Sequence, residues 1–241
     1  MSDETSSLAR RLALACRVVA LKGHGDLIFG HLSAWLPQGN GMLMKPNGLG
    51  LDEVGPEDML VMDFDGKVLE GRHPAHLEYP IHTEILQARS DAEAVVHTHP
   101  YYCIALGASE YDLRPLSEHG CYFVPPNVPK FSDTTDLIVT KQDGQALARS
   151  LGSHRAVLMR NHGVAIVGPS IEEAAIAAIL LEEACHVQLL TQSLGPNFQA
   201  SSSEDAMGKR ARAFPKFIPG LWAYLVRQAC RRWPECQAFA E

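Results

Sequence analysis

The 241-residue chain has no basic excess, since 21 Lys and Arg stand against 28 Asp and Glu for a formal charge of -7. A surface of that sign does not attract a phosphate backbone, so no nucleic-acid partner is expected. Lys209-Arg210-Ala211-Arg212 and Arg231-Arg232 are locally basic, but clusters this short are ordinary solvated helix faces. The six cysteines, at 16, 103, 121, 185, 230 and 236, include no CxxC pair and lie far apart. That spacing excludes a disulfide framework and fits buried thiols in a reduced compartment. No apolar run approaches the length of a bilayer span, and the start Met1-Ser2-Asp3-Glu4-Thr5 is acidic where a secretory signal is basic and then apolar. A cytoplasmic chain with no membrane partner is the expectation.

What is present is the composition of a globular protein, 46% hydrophobic and 20% charged. The length suffices to bury a full core without staples. Residues 5–21 place Leu8, Leu12, Ala15 and Val19 on one stripe, and Gly23 follows as a stop, which predicts an opening amphipathic helix. Short strands are predicted over 28–33, 41–45 and 59–63, the last paired with 67–70 across an Asp65-Gly66 turn. Pro80 suits the first turn of a helix running to residue 88, because its missing amide proton is not needed there. Pro100 opens another helix, to about residue 106. Residues 114–130, with four prolines, read as extended loop before a helical region over 136–151.

Ser170-Ile171-Glu172-Glu173 has the form of a capping box at the head of a long Ala/Leu/Glu helix that stops at Gly195-Pro196. Residues 196–208 read as a mobile polar connector to a last helix over 221–232. The expected organisation is therefore one domain over 1–195, then a connector and C-terminal helix over 196–241 that pack on the same domain or on a neighbouring subunit. Short, mostly antiparallel strands flanked by helices make the class α/β, layered around one sheet.

The most informative residues are His97-Thr98-His99, at the end of the apolar run Ala94-Val95-Val96. A β-strand turns alternate side chains to one face, so both imidazoles can aim at one point while Thr98 points away. A second strand, Ala156-Val157-Leu158-Met159, runs into Arg160-Asn161-His162-Gly163 and continues as Val164-Ala165-Ile166-Val167, which places His162 at a hairpin turn as a third nitrogen ligand. Three imidazoles favour zinc or another late first-row divalent ion. Glu78 and His82 stand at i,i+4 at the start of a helix just before this strand and would share a helical face.

Gly30-His31-Leu32-Ser33, Lys45-Pro46-Asn47-Gly48-Leu49, Pro74-Ala75-His76-Leu77-Glu78, Ala94-Val95-Val96-His97-Thr98-His99-Pro100 and Arg160-Asn161-His162-Gly163, in this order, resemble the class II aldolase/adducin family over about residues 8–194. The resemblance implies an α/β/α sandwich around a central, mainly antiparallel sheet, assembled as a homotetramer with active sites between subunits. It also implies one divalent transition metal per subunit (Zn, Mn, Fe or Co) on His97, His99 and His162, with Glu78 as acid/base beside it. The implied reaction is carbon-carbon cleavage through an enolate or enediolate.

Departures from the family's sugar-phosphate aldolases narrow the choice. Those enzymes have Asn where His31 stands and a Ser-Ser pair where His76-Leu77 stands, groups that bind phosphate through neutral hydroxyls and amides. Imidazoles and Lys45 suit a small carboxylate better. A tyrosine expected after the Pro-rich loop is replaced within Pro129-Lys130-Phe131. The chain is more similar to the family's decarboxylases of hydroxypyridine-dicarboxylate, dihydroxyphthalate and carboxymuconic-semialdehyde type. The expected activity is decarboxylation of a small hydroxylated aromatic or enolisable carboxylate; the alternatives are an aldolase acting on a keto-sugar or its phosphate, and a non-catalytic adducin-like interaction module. His31, Ser33, Lys45 and His76 are the candidate substrate-binding residues. Arg212 is either a carboxylate clamp reaching a neighbouring subunit or a plain charged connector residue. His82 either orients Glu78 and the metal ligands or packs beneath the sheet.

Overall fold

In a computed structural model, residues 2–37 and 39–240 are described; Met1 of the polar start and Glu241 at the end of the second expected segment lie outside them. Helix α1 (Asp3–Val19) begins two residues before the predicted start because the Ser2 side chain accepts the Thr5 N–H. It widens into one π-helical turn, Ala20–His24, and breaks at Gly23, whose φ of +90° needs a residue without Cβ.

The sheet has eight strands: β1 (His31–Trp35), β2 (Met42–Met44), β3 (Leu60–Met62), β4 (Val68–Glu70), β5 (Ala94–Thr98), β6 (Lys130–Phe131), β7 (Ala156–Met159) and β8 (Gly163–Gly168). Their order is β4-β3-β2-β1-β5-β8-β7-β6, with every pair antiparallel except β6 with β7. Gly66, at φ +86°, turns the predicted β3–β4 hairpin.

Alternation along the central strands divides the core in two. Leu32, Ala34, Val96, Leu158, Val164 and Ile166 face α1 and α6 (Ile171–Ser193). Met44, Val95, Val157, Met159, Ala165 and Val167 face α2 (Tyr79–Ala88) and α5 (Lys141–Leu151) through Ile81, Ile85, Leu147 and Leu151. Each fully buried aliphatic contributes about 1.5–3 kcal/mol relative to exposure, so the sheet is clamped from both sides. This is the expected α/β/α sandwich. Helix α6 is long and apolar enough to cross a membrane by composition, contrary to the reading of the sequence, but it is mostly buried as the core helix of one layer.

Three other expectations are corrected. Residues 114–130 are not all loop: α4 (Glu118–Phe123) forms within them, because Ser117 caps it through the Gly120 N–H and the four prolines lie outside the helix. Helix α5 starts at residue 141 rather than 136, with Thr140 capping through the Asp143 N–H. The last long helix, α7 (Ser203–Arg232), starts at 203 on a Ser202 cap and carries Pro215 and Pro219 on its solvent side, where the lost amide donors are least costly. The connector is thus only 196–202, and α7 packs on α4, α6 and α1.

The expected capping box at α6 is half formed. Ser170 accepts the Glu173 N–H, but the Glu173 carboxylate accepts the Tyr122 hydroxyl at 2.6 Å instead of turning back. Helix α3 (Tyr101–Ala108) follows Pro100 and receives an outside cap, the Glu182 carboxylate accepting the Tyr102 and Cys103 N–H groups. The short α8 (Gln237–Ala240) ends the described chain.

Candidate metal centre

His97 is the inward residue next to the end of β5, directly opposite His31 on β1. His99 lies one residue past β5, and His162 sits in the β7–β8 turn after Asn161, which adopts φ +56°. Gly163 lets this turn approach: a Cβ there would lie 2.5 Å from the Thr98 carbonyl oxygen and 2.7 Å from His99 Cδ2. Thr98 points to the opposite face, where its hydroxyl meets His24 Nδ1 at 2.9 Å.

Glu78 caps the start of α2, and its carboxylate joins the three imidazoles, one ligand atom from each of the four residues lying within 4.8 Å of the others. His97 Nε2 is 3.1 Å from His99 Nε2 and 3.8 Å from Glu78 Oε2, and His162 Nε2 is 3.5 Å from Glu78 Oε1. The outer ring nitrogens fix the tautomers. His97 Nδ1–H donates to the Val164 carbonyl at 3.1 Å, and His99 Nδ1–H donates to Asp26 Oδ2 at 3.0 Å. Both Nε2 lone pairs therefore face one another, an arrangement that repels unless a cation lies between them. That 3.1 Å separation is close to one edge of a tetrahedron with Zn–N bonds of about 2.0–2.1 Å, so this donor set fits a divalent ion.

Burial, reinforced by the neighbouring His99 and His162, holds His97 well below the usual imidazole range, as a ligand nitrogen requires. Burial pushes the Glu78 carboxyl up, but the hydrogen bond and charge of His162 and the Ile138 N–H, 2.9 Å from Oε1, outweigh it, and Glu78 is held below the usual carboxylate range.

The other predicted residues form a second, contiguous cluster. His82 Nε2 is 2.6 Å from His31 Nδ1, and His82 Nδ1 is 2.6 Å from Ser33 Oγ. His82 thus turns to the sheet and makes no hydrogen bond to Glu78. The His31 ring lies 4.8 Å from that of His97 and 4.3 Å from that of His76. His76 Nε2–H donates to the Pro46 carbonyl at 2.9 Å. Lys45 is wholly buried, its Nζ donating to the Ile28 carbonyl at 3.0 Å and lying 3.4 Å from His76 Nε2, so it meets the site across His76 and not from the open cleft. Burial lowers Lys45 to about 8, His76 to about 4 and His82 to about 3, with Lys45 adding to the effect on His76 and His76 to that on His82. Arg212 lies exposed on α7, which packs on the other layer, and is not brought to the cluster within one chain.

Asp26 and Ile138 complete the centre without having been anticipated. Their contacts span 73 and 60 residues, and neither stands in a local pattern that could have revealed them.

With this geometry in view, the comparisons place the chain: it belongs to the class II aldolase and adducin family, whose N-terminal domain model matches residues 10–189. It is 37% identical over 144 residues to the decarboxylase NovR of Streptomyces niveus, an alignment covering 59% of this chain and 53% of that protein. The chain spans about half the length of the first curated relatives it matches. It is 32% identical to a 3,4-dihydroxyphthalate decarboxylase of Arthrobacter keyseri, covering 76% of this chain and 78% of that one; other relatives carry aldolase names. Among solved structures, an aldolase II superfamily protein from Pseudomonas syringae aligns at 29% identity with a TM-score of 0.86, covering 96% of this chain and 95% of the other.

Proposed function

We propose that the chain is a divalent-metal-dependent carboxy-lyase acting on a small hydroxylated aromatic or enolisable carboxylate. The observation that carries the reading is the pairing of two clusters: three Nε2 atoms converging beside Glu78, and, in contact with them, His31 and His76 where the family's aldolases have an amide and a hydroxyl that bind phosphate. Decarboxylase names among the relatives support the same choice. A zinc, manganese, iron or cobalt ion on His97, His99 and His162 would supply Lewis-acid polarisation of a substrate oxygen.

The protein's own groups do the rest. His31 and His76 face the carboxylate end of the substrate, with the charge of Lys45 behind them. When the bond to the carboxyl carbon breaks, carbon dioxide leaves and the electron pair stays on the substrate carbon. Glu78, a carboxylate aimed by the Ile138 N–H, takes up the proton of the substrate's hydroxyl and returns it to that carbon.

Large exposed apolar side chains adjoin the residues of the centre along the chain. Leu27, Ile28 and Phe29 follow Asp26, Leu77 precedes Glu78, Tyr101 follows His99, and Leu137 and Val139 flank Ile138; all are exposed, Tyr101 at 85% and Leu77 at 68%. Such a surface supports a homo-oligomer, of tetrameric order by family, that closes the site with a neighbouring subunit and brings Arg212 to it in trans as a carboxylate clamp. The free, largely buried cysteines fit the cytosol.

The test is to load the purified chain with metal and offer ortho-hydroxy aromatic acids, keto-enol dicarboxylates and ketose phosphates, following carbon dioxide and aldehyde separately. Carbon dioxide from an acid is the expected result. Aldehyde from a sugar phosphate, with no gas from any acid, would turn the reading to an aldolase, and protein that takes up no stoichiometric metal would turn it to an interaction module.

A further inference from the structure

The buried chain Ser33–His82–His31 has a direction that its surroundings decide. His82 and Ser33 are wholly buried and His31 nearly so, and among the described residues none of the three has a carboxylate within hydrogen-bonding reach. The imidazoles are thus neutral, each with one N–H and one lone pair. Two arrangements satisfy the two 2.6 Å contacts. If His31 donates to His82 and His82 donates to Ser33, the Ser33 hydroxyl proton is left buried with no acceptor, since among the described residues His82 is its one hydrogen-bond partner. If Ser33 donates to His82 Nδ1 and His82 Nε2–H donates to His31 Nδ1, the one donor left over is His31 Nε2–H, which is not fully enclosed and can meet water or substrate. An unused lone pair on an oxygen is far better tolerated than a buried donor without a partner. The second arrangement therefore holds, and it leaves the proton of His31 on Nε2, the ring nitrogen away from His82.

His76, whose ring is 4.3 Å from that of His31, is fixed the opposite way. A carbonyl can only accept, so the 2.9 Å contact to Pro46 places the proton of His76 on Nε2 and a lone pair on Nδ1, which has no hydrogen-bond partner among the described residues. Two adjacent imidazoles thus offer one donor and one acceptor.

We infer that Ser33 and His82 are positioning residues that lock His31 as an N–H donor, and that His31 and His76 together read a substrate carrying an acceptor oxygen beside an O–H, as in a carboxylate with a hydroxyl on the neighbouring carbon. The inference deepens the lyase reading and rests on it only for the identity of the substrate; the proton positions are independent of any turnover.

Neutron diffraction from crystals of the zinc-loaded protein exchanged into deuterium oxide tests it directly. Deuterium is expected on Nε2 of His82, His31 and His76 and not on their Nδ1 atoms; deuterium on His31 Nδ1 overturns the inference even if the enzyme proves to be a decarboxylase. The functional arm uses benzoate and 2-hydroxybenzoate as probes of the zinc-loaded protein. Ser33→Thr keeps the hydroxyl and should bind benzoate as the parent does, whereas Ser33→Ala frees the His31 tautomer and should bind it several-fold more weakly. His76→Phe should lower the preference for 2-hydroxybenzoate over benzoate by about tenfold, the worth of one hydrogen bond of about 1.4 kcal/mol. Equal binding by the Ala and Thr variants, as a purely structural role for Ser33 would give, refutes the positioning role. An unchanged preference in His76→Phe refutes the reading of the hydroxyl.

Discussion

Replacing Gly163 by alanine should damage metal binding more than folding. The added Cβ would fall 2.5 Å from the Thr98 carbonyl oxygen and 2.7 Å from His99 Cδ2. Optimal non-bonded contacts lie near 3.5 Å, and repulsion climbs steeply about half an ångström inside that, so the β7–β8 turn and the end of β5 must part by about 0.5 Å. Overpacking of this kind costs about 1–3 kcal/mol. For a chain of this size that is a fall in Tm of about 2–12 °C. A metal site tolerates only about ±0.2 Å in its ligand distances, and the displaced groups are the very ones that carry His99 and His162. Zinc affinity should therefore drop by at least about tenfold, or about 1.4 kcal/mol.

The assay is competition against a chromogenic zinc chelator, beside a thermal melt of the metal-free protein. Gly107→Ala serves as the control, because a Cβ there meets Leu158 and Met159 at an ordinary 3.5 Å and lies inside α3. That variant should keep its zinc affinity and gain up to about 1 kcal/mol from helix propensity. Gly163→Ala protein that binds zinc as tightly as the parent would refute the claim that this close approach sets the ligand geometry.

Other perturbations separate the parts of the centre. His99→Ala should lose stoichiometric metal by elemental analysis, while Glu78→Gln should keep the metal and lose turnover by at least about 10²-fold, the usual scale of a general acid or base; full activity in Glu78→Gln would remove it as the proton carrier. Asp26→Ala, which leaves the His99 Nδ1–H without its acceptor, should weaken zinc about 10–100-fold in the same chelator competition. Burial lowers His24 from 6.5 to about 4, so between those values the unfolded chain binds the proton and the folded one does not. The resulting stability is present above about pH 6.5 and lost as the pH falls toward 4, by at most about 3 kcal/mol. Urea midpoints of the metal-free protein from pH 7 to 4.5 should fall less steeply in His24→Gln than in the parent, and equal slopes would count against this source of acid sensitivity.

What was legible in the sequence was what sequence-local geometry dictates. His97 and His99 are two residues apart, Asn161-His162-Gly163 is a turn by residue type, and the stop at Gly23 and the hairpin at Gly66 follow from a conformation that glycine adopts at low cost. What escaped were groups whose roles arise from distant packing: Asp26 on His99, Ile138 on Glu78, and the complete burial of Lys45, whose Nζ meets the Ile28 carbonyl in the loop before β1. Proline density misled at 114–130, because four prolines that flank a capped helical turn carry the same composition as four prolines spread through a loop. Of the two readings of His82 the structure favours packing against the sheet: Glu78 sits at the cap, outside the helical turn, and reaches the three imidazoles, while His82 is one turn further in and meets β1.

Strand β5 explains why the two clusters belong together. Its residues alternate between an apolar layer and a layer that becomes polar only at one end, where Val95 gives way to His97 and the facing strand offers Ser33 and His31 in place of aliphatics. Buried polar residues in such a position cost stability unless they are fully hydrogen-bonded. Here each one is either bonded to the next or turned toward the common centre, so the polarity is continuous from Ser33 to His162. On the opposite face of the same strand, Thr98 and His24 form a separate pair whose remaining ring nitrogen, His24 Nε2, is buried without a partner. Among these described residues the fully enclosed, unpartnered nitrogen is on the His24 face, while the face carrying His97 turns its polar atoms to one another or to the common centre.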